Sequence, residues 1–275
     1  MLGAGRLRAG LIEPAQVPFP WAREELLLDA DLAPGARGLP VRVLQEHLNL
    51  NGQGVAIDAE FGIVTETAVR AIQRSRRLKP TGTVDQALFD ELTLPLRAAV
   101  SPLPSAARRF HEAVNATALQ HRRNFPRAVG PEPNMGPWVR LYMHGYEGPS
   151  YPWAIGFVLF VLGQAAFHAG HEMPLYPAWT PDALATDARG RGLLVTERDL
   201  DNPDMRAELL QSGAVFLQRD PGGDYVHAGF VHKLARETFT TTEAAPPNLS
   251  GYEGSAVTSR LRGFRHMDFI SFADV

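Results

Sequence analysis

The segment from Trp153 to Ala169 does most to narrow what this chain can fold into. It carries Ile155, Phe157, Val158, Leu159, Phe160, Val161 and Leu162 in near succession, then Ala165, Ala166 and Phe167, with no charged side chain. A helix apolar on nearly every side must be covered by other elements. Its uninterrupted apolar run, Trp153 to Leu162, falls far short of the ~20 residues of a membrane-spanning helix, so the expected cover is protein and no membrane insertion is expected. Strand-like runs follow at Ala214–Gln218, Val226–Lys233, Thr238–Thr242 and Phe269–Phe272, with Gly222-Gly223 as a hairpin signal between the first two. A buried helix ahead of an antiparallel meander predicts an α+β fold.

The 275 residues leave room for two modest domains. Residues 1–33 read as an irregular arm, broken by Pro14, Pro18 and Pro20 and ending in a short helix over Trp21–Leu28. From residue 41 the period is helical: Val41, Leu44 and Leu48, then Val69 and Ile72, then Leu88 and Leu92. Thr65 and Asp85 are the expected caps of the second and third helices. The segment 34–95 is therefore expected to be a small three-helix bundle. Residues 96–105, with Pro102 and Pro104, read as a linker, a helix follows at 105–120, and a second domain takes 106–275.

A net charge of −3 gives no reason to expect nucleic acid. The basic runs Arg74, Arg76, Arg77 and Arg122, Arg123 suit solvated helix faces. With no cysteine in the chain, disulfides, cysteine-ligated zinc and a thiol nucleophile are excluded. His168 and His171 have a ligand-like spacing but no third partner in the pattern, so no metal or cofactor is expected. Glu243 and Glu253 have no separation fixed by sequence and make no glycosidase pair. The first 20 residues lack the apolar core of a signal peptide, so synthesis in the cytoplasm is expected, with release by lysis or injection as a route outward.

Val41-Arg42-Val43-Leu44-Gln45-Glu46-His47-Leu48 is followed by Ile57-Asp58-Ala59-Glu60-Phe61-Gly62, then Thr65 to Val69, then Thr81-Gly82-Thr83-Val84-Asp85. This order and spacing resemble the bacterial peptidoglycan-binding domain, with Ala59 standing where that family usually has glycine. The resemblance implies a wall-binding module with peptidoglycan or a muropeptide as partner. Asp58, Phe61 and Gly62 are its candidate ligand-binding residues, Phe61 also filling the core.

A second group comprises Asn134-Met135-Gly136-Pro137-Trp138, Tyr151-Pro152-Trp153-Ala154-Ile155-Gly156-Phe157, Ser212-Gly213-Ala214-Val215-Phe216, His227-Ala228-Gly229-Phe230-Val231, and Thr242-Glu243-Ala244-Ala245 with Glu253-Gly254. It is similar to the CHAP-type branch of the papain-like amidases. That resemblance implies a papain-like domain with its buried helix packed on an antiparallel sheet. It places the nucleophile position at Ala154, the base at His227, the acidic orienter at Glu243 and a lost amide at Ala245, with Asn248 the only amide nearby. Ala154 and His227 are expected to meet in one cleft, beside Trp153 and Trp138 as candidate ligand contacts. Two vacant positions favour a naturally inactive domain over one deliberate replacement. The expected function is non-catalytic recognition of peptidoglycan by a pseudo-amidase. The alternatives are a cysteine-type amidase or endopeptidase seen as its alanine variant, and a structural or adaptor subunit within a phage-like or contractile injection assembly.

Overall fold

Val41, Leu44 and Leu48 fall on one face of α2 (Leu39–Leu50), and burying that face is what organises the first part of the chain. The computed structural model describes residues 11–103, 109–245, 255–273 and 275. A short α1 (Pro20–Glu24) precedes α2; α3 (Ile63–Ser75) and α4 (Gln86–Leu92) follow it. Together α2, α3 and α4 enclose Val55, Phe61, Val69, Ile72, Val84, Leu88 and Phe89 in one apolar cluster. Asp85 caps α4, its carboxylate accepting from the Leu88 N–H at 2.8 Å. Thr65 does not cap α3: Gly62 holds the cap position and Thr65 lies buried within the first turn.

The expected linker at 96–105 begins as a helix instead. α5 (Leu94–Val100) buries Leu96, Ala99 and Val100. Its Arg97 Nε donates to the Ile12 carbonyl at 2.9 Å, and the Ile12 N–H donates to Ser101 Oγ at 2.9 Å. Pro95 does not prevent this helix, because it sits in the first helical turn, where its missing N–H costs nothing.

The described chain divides into two units, residues 11–101 with 127–151 and residues 102–126 with 152–275. It leaves the first unit after α5, supplies α6 (Phe110–Arg123) to the second, returns for α7 (Pro137–Tyr142), and crosses again. The expected boundary, with everything beyond residue 105 in one domain, is thus corrected for 127–151. Arg127 Nη2 donates to the carbonyls of Asn49 and Leu50 at the end of α2 (3.2 and 3.1 Å). Trp21 Nε1 donates to the Leu141 carbonyl at 2.9 Å. A buried ion network completes the attachment: Arg140 binds Glu25, Glu46 and Glu147 at 2.6, 2.8 and 2.8 Å.

In the second unit α8 (Ala154–Ala169) is the apolar helix read from the sequence, with Phe157, Val158, Val161, Leu162 and Ala165 fully enclosed. α9 (Pro181–Gly190) and α10 (Pro203–Leu209) begin at side-chain caps from Thr180 and Asn202. The strands are β1 (Leu194–Val195), β2 (Val215–Arg219), β3 (Tyr225–Leu234), β4 (Thr238–Ala245), β5 (Ala256–Thr258), β6 (Leu261–Gly263) and β7 (Met267–Ile270). They form an antiparallel sheet in the order β1-β7-β2-β3-β4-β5, with β6 also on β4. The mixed helix and antiparallel-sheet architecture is the α+β class expected. Gly213, ahead of β2, has φ +94°, and a Cβ there would stand 2.0 Å from the His111 carbonyl oxygen, so the position admits only glycine.

The sheet separates two apolar layers. Phe216, Val231, Phe239 and Phe269 point to one face, where they meet Leu200, Leu210, Phe264 and Met267. Phe230 points to the other and packs edge-on against Phe157 of α8, ring centroids 5.7 Å apart. Among the described residues no helix is long and apolar enough to cross a membrane.

Candidate functional site

Two groups of residues singled out by the sequence can be built from their surroundings. The first is the loop between α2 and α3, and its organiser is Gln45. This side chain, 1% exposed, donates from Nε2 to Asp58 Oδ1 (2.7 Å), the Glu60 carbonyl (3.1 Å) and Thr65 Oγ1 (3.1 Å). Its Oε1 accepts from the N–H groups of Asp58 and Ala59 at 3.0 and 2.9 Å. One buried amide thus satisfies the Asp58 and Ala59 N–H groups of a turn whose backbone also pairs with residues 35–38. Asp58 is exposed, and the bond from Gln45, helped by the Glu60 N–H, holds its carboxyl below the usual range. Arg37 pairs with Glu60 beside it.

The candidate ligand contacts of this loop differ in what they present. Asp58 and Gly62 are at the surface, whereas Phe61 is 2% exposed and belongs to the core. Gly62 has φ −90° and open space where a Cβ would stand, so no steric need fixes glycine there. The residue in the left-handed region is Ala59, at φ +61°. Sequence spacing assigns Gln45 no role; its signal is an amide one position after Leu44, next to the apolar positions of α2.

The second group lies on the sheet. His227 and Glu243 face each other across β3 and β4, with Nε2 and Oε2 3.6 Å apart. Glu243 is fully buried and takes a two-pronged pair of bonds from Arg262, Nε and Nη2 each at 2.9 Å. Arg260 adds a guanidinium at 3.7 Å. Burial pushes the Glu243 carboxyl up, but the neighbouring His227 imidazole and the bonds from Arg262 outweigh it and hold the group below its ordinary value. Arg262 also donates to Gln218 Oε1 at 2.9 Å and lies over the Phe216 ring at 4.8 Å. Gly229 makes room for this packing: a Cβ there would come within 2.7 Å of Glu243 Cβ and 2.8 Å of the Phe216 ring. Arg262 escaped the sequence reading because β6 is three residues long and has no readable period.

The structure brings His227 and Glu243 together on one face of the sheet. The β2–β3 register is regular from Val215–Phe230 to Gln218–His227, so His227 and Phe230 point to opposite faces. Phe230 faces α8, which Ala154 begins, while His227 faces Phe216 and the other apolar layer. The expected meeting of Ala154 and His227 in one cleft gains no support from this register, which puts the imidazole on the face opposite to the one where Phe230 meets α8. Ala245 is buried and pairs with Ala256 across β4 and β5. Trp138 and Trp153, at 1% and 2% exposure, are core residues of the first and second units and offer no surface to a ligand. Asn248, Glu253 and Gly254 lie outside the described residues.

As chemistry, this cluster supplies an imidazole, two guanidiniums and a buried carboxylate, and no thiol exists anywhere in the chain. Among the described residues no group of three or more His, Asp or Glu is placed to hold a metal ion.

Comparison with protein families matches residues 37–92 to the family described as "Putative peptidoglycan binding domain". The match spans α2, α3, α4 and the Gln45-organised loop, all within the first unit. Comparisons with curated proteins and with solved structures give no match.

Proposed function

We propose that this protein binds peptidoglycan through its first unit and does not cut it by thiol chemistry. The observation that carries the reading is the family match over residues 37–92, a segment whose exposed loop is fully formed around Gln45. The absence of cysteine supports the second half of the reading, because Ala154 supplies no nucleophile and no other residue supplies a thiol. On this reading the second unit is an accessory to recognition. Two weak contacts on one chain gain through effective concentration when both can be engaged at once.

The test is co-sedimentation of the full-length protein with purified sacculi, with soluble amino groups and reducing ends assayed in the supernatant. The expected result is protein in the pellet and no release of wall fragments. Protein left in the supernatant would turn the reading toward an adaptor role, and released fragments would make the protein an enzyme.

A further inference from the structure

The loop from His144 to Tyr151 turns its one charged side chain inward and its aromatic rings outward. Glu147 Oε2 accepts from Arg140 Nη1 and from the Gly136 N–H, both at 2.8 Å, and Arg42 of α2 pairs with its other oxygen. Backbone bonds close the loop around this anchor: Tyr146 N–H to the Met143 carbonyl at 3.0 Å, Gly148 N–H to Asn134 at 2.6 Å, and Tyr151 N–H to Gly148 at 2.9 Å. His144 is held at φ +55°, a conformation a non-glycine residue adopts at a cost.

This anchored loop displays Tyr146, 61% exposed, stacked on exposed Tyr151 with centroids 5.5 Å apart and planes 17° from parallel. Two residues before Tyr146, the His144 ring stacks on Trp21 at 3.9 Å and 28°, and the indole is itself fixed by its bond to the Leu141 carbonyl. Single exposed apolar residues are ordinary, but stacked rings on a pinned loop form a prepared surface.

The chemistry of the surface selects its ligand. Residues 143–151 contain no Lys or Arg, and their sole carboxylate is neutralised inside. The loop therefore offers little to a charged peptide. Flat aromatic faces carry partial negative charge and attract the polarised C–H groups on one face of a pyranose ring, while tyrosine hydroxyls and Ser150 can bond to sugar hydroxyls. Tyrosine, serine and glycine give such contact at low entropic cost. The loop is tied through Glu147 and Arg42 to α2, the first helix of the segment that matches the peptidoglycan-binding family.

We propose that Tyr146 and Tyr151 form a platform for the neutral glycan strand of peptidoglycan, a contact separate from the Gln45-organised loop. This rests on the wall-binding reading and names the part of the polymer recognised.

The experiment measures binding of full-length protein to two probes, intact sacculi and glycan strands freed of their stem peptides whose exposed lactyl carboxylates are capped as methylamides, so that the strands stay neutral. It compares the wild type with Tyr146→Ala/Tyr151→Ala and with Tyr146→Phe/Tyr151→Phe, each checked for an unchanged melting temperature. The expected result is at least about tenfold weaker binding to free strands for the alanine pair, equivalent to about 1.4 kcal/mol. The phenylalanine pair keeps the ring faces and stays within about threefold of wild type. Equal binding by wild type and the alanine pair overturns the platform while leaving wall binding intact. Wild type that binds sacculi but not free strands also overturns it. Wild type that binds neither probe removes the wall-binding reading as well.

Discussion

Ala59 shows how far a single residue can be read before its backbone is known. The motif Asp58-Ala59-Glu60-Phe61-Gly62 marks Gly62 as a candidate ligand contact and Ala59 only as a departure from the family's usual glycine. The structure gives Gly62 an ordinary negative φ and puts Ala59 at φ +61°. An L-residue there crowds its Cβ against the following carbonyl, at a cost of about 1 kcal/mol or somewhat more. Ala59→Gly removes that clash and keeps both N–H groups that bond to Gln45, while the more flexible unfolded chain of glycine takes back part of the gain. The expected outcome is a first unit more stable by about 0.5–1 kcal/mol, read as a rise in the denaturation midpoint. A lower midpoint would show that the Ala59 side chain makes contacts worth more than its strain. Sequence spacing carries no record of φ, so a departure from the family pattern could be seen at this position while its cost could not.

At the scale of elements, the legible parts are those held by local periodicity. The buried α8 appeared as an unbroken apolar run, β2 and β3 as runs flanking Gly222-Gly223, and α2 to α4 as repeating apolar faces. The parts missed are held by side chains distant in sequence. Residues 127–151 read with the second half because Gly136-Pro137-Trp138 matched a motif there; they join the first unit through Arg140. The partners of Arg140 are at 25, 46 and 147, a spacing that no window of sequence reveals. Likewise, the His227 motif was legible, but which sheet face meets α8 follows from packing. Burial raises the Glu25 and Glu46 carboxyls while Arg140 pulls them down; Glu147, despite burial, lies below its ordinary range through Arg140 and the Gly136 N–H. Arg140→Met should cost about 3–5 kcal/mol, because it strands buried carboxylates without a counter-charge. Amide exchange should rise first in α7 and in the loop to Tyr151. Adding Glu46→Gln should recover part of the loss, since one stranded charge is then gone. A double variant as unstable as Arg140→Met alone would mean that methionine's fit, and not charge, sets the penalty.

At the scale of the whole molecule, each unit encloses a fully buried histidine that burial keeps neutral, His47 in the first and His121 in the second. His47 of α2 sits edge-on to Phe89 at 5.3 Å with no hydrogen bond at either ring nitrogen among the described residues, and burial, reinforced by the charge of Arg140, lowers its pKa to about 3. His121 of α6 bonds Gln164 Oε1 at 2.9 Å, yet burial still lowers its pKa to about 4. Both folded values lie below the ordinary 6.5. As pH falls below 6.5 the unfolded chain therefore takes up these protons before the folded one. The stability each neutral ring represents is fully present above 6.5 and is lost progressively as pH falls toward 3 or 4. At pH 4.5 the loss approaches about 2–3 kcal/mol per histidine. Glu25 and Glu46, raised by burial, act in the opposite sense within this window, so the comparison of variants isolates the imidazole better than the raw slope does. His47→Leu keeps the apolar volume and removes the titration. It should raise the stability of the first unit at pH 4.5 relative to pH 7, when each is compared with wild type. Amide exchange in α2 reports that change, and exchange in α8 reports the second unit. The α8 protection should keep its wild-type acid sensitivity in the His47→Leu protein, because His121 is untouched. If α2 loses protection between pH 7 and 4.5 as steeply with leucine as with histidine, His47 is not the group that makes the first unit acid-sensitive.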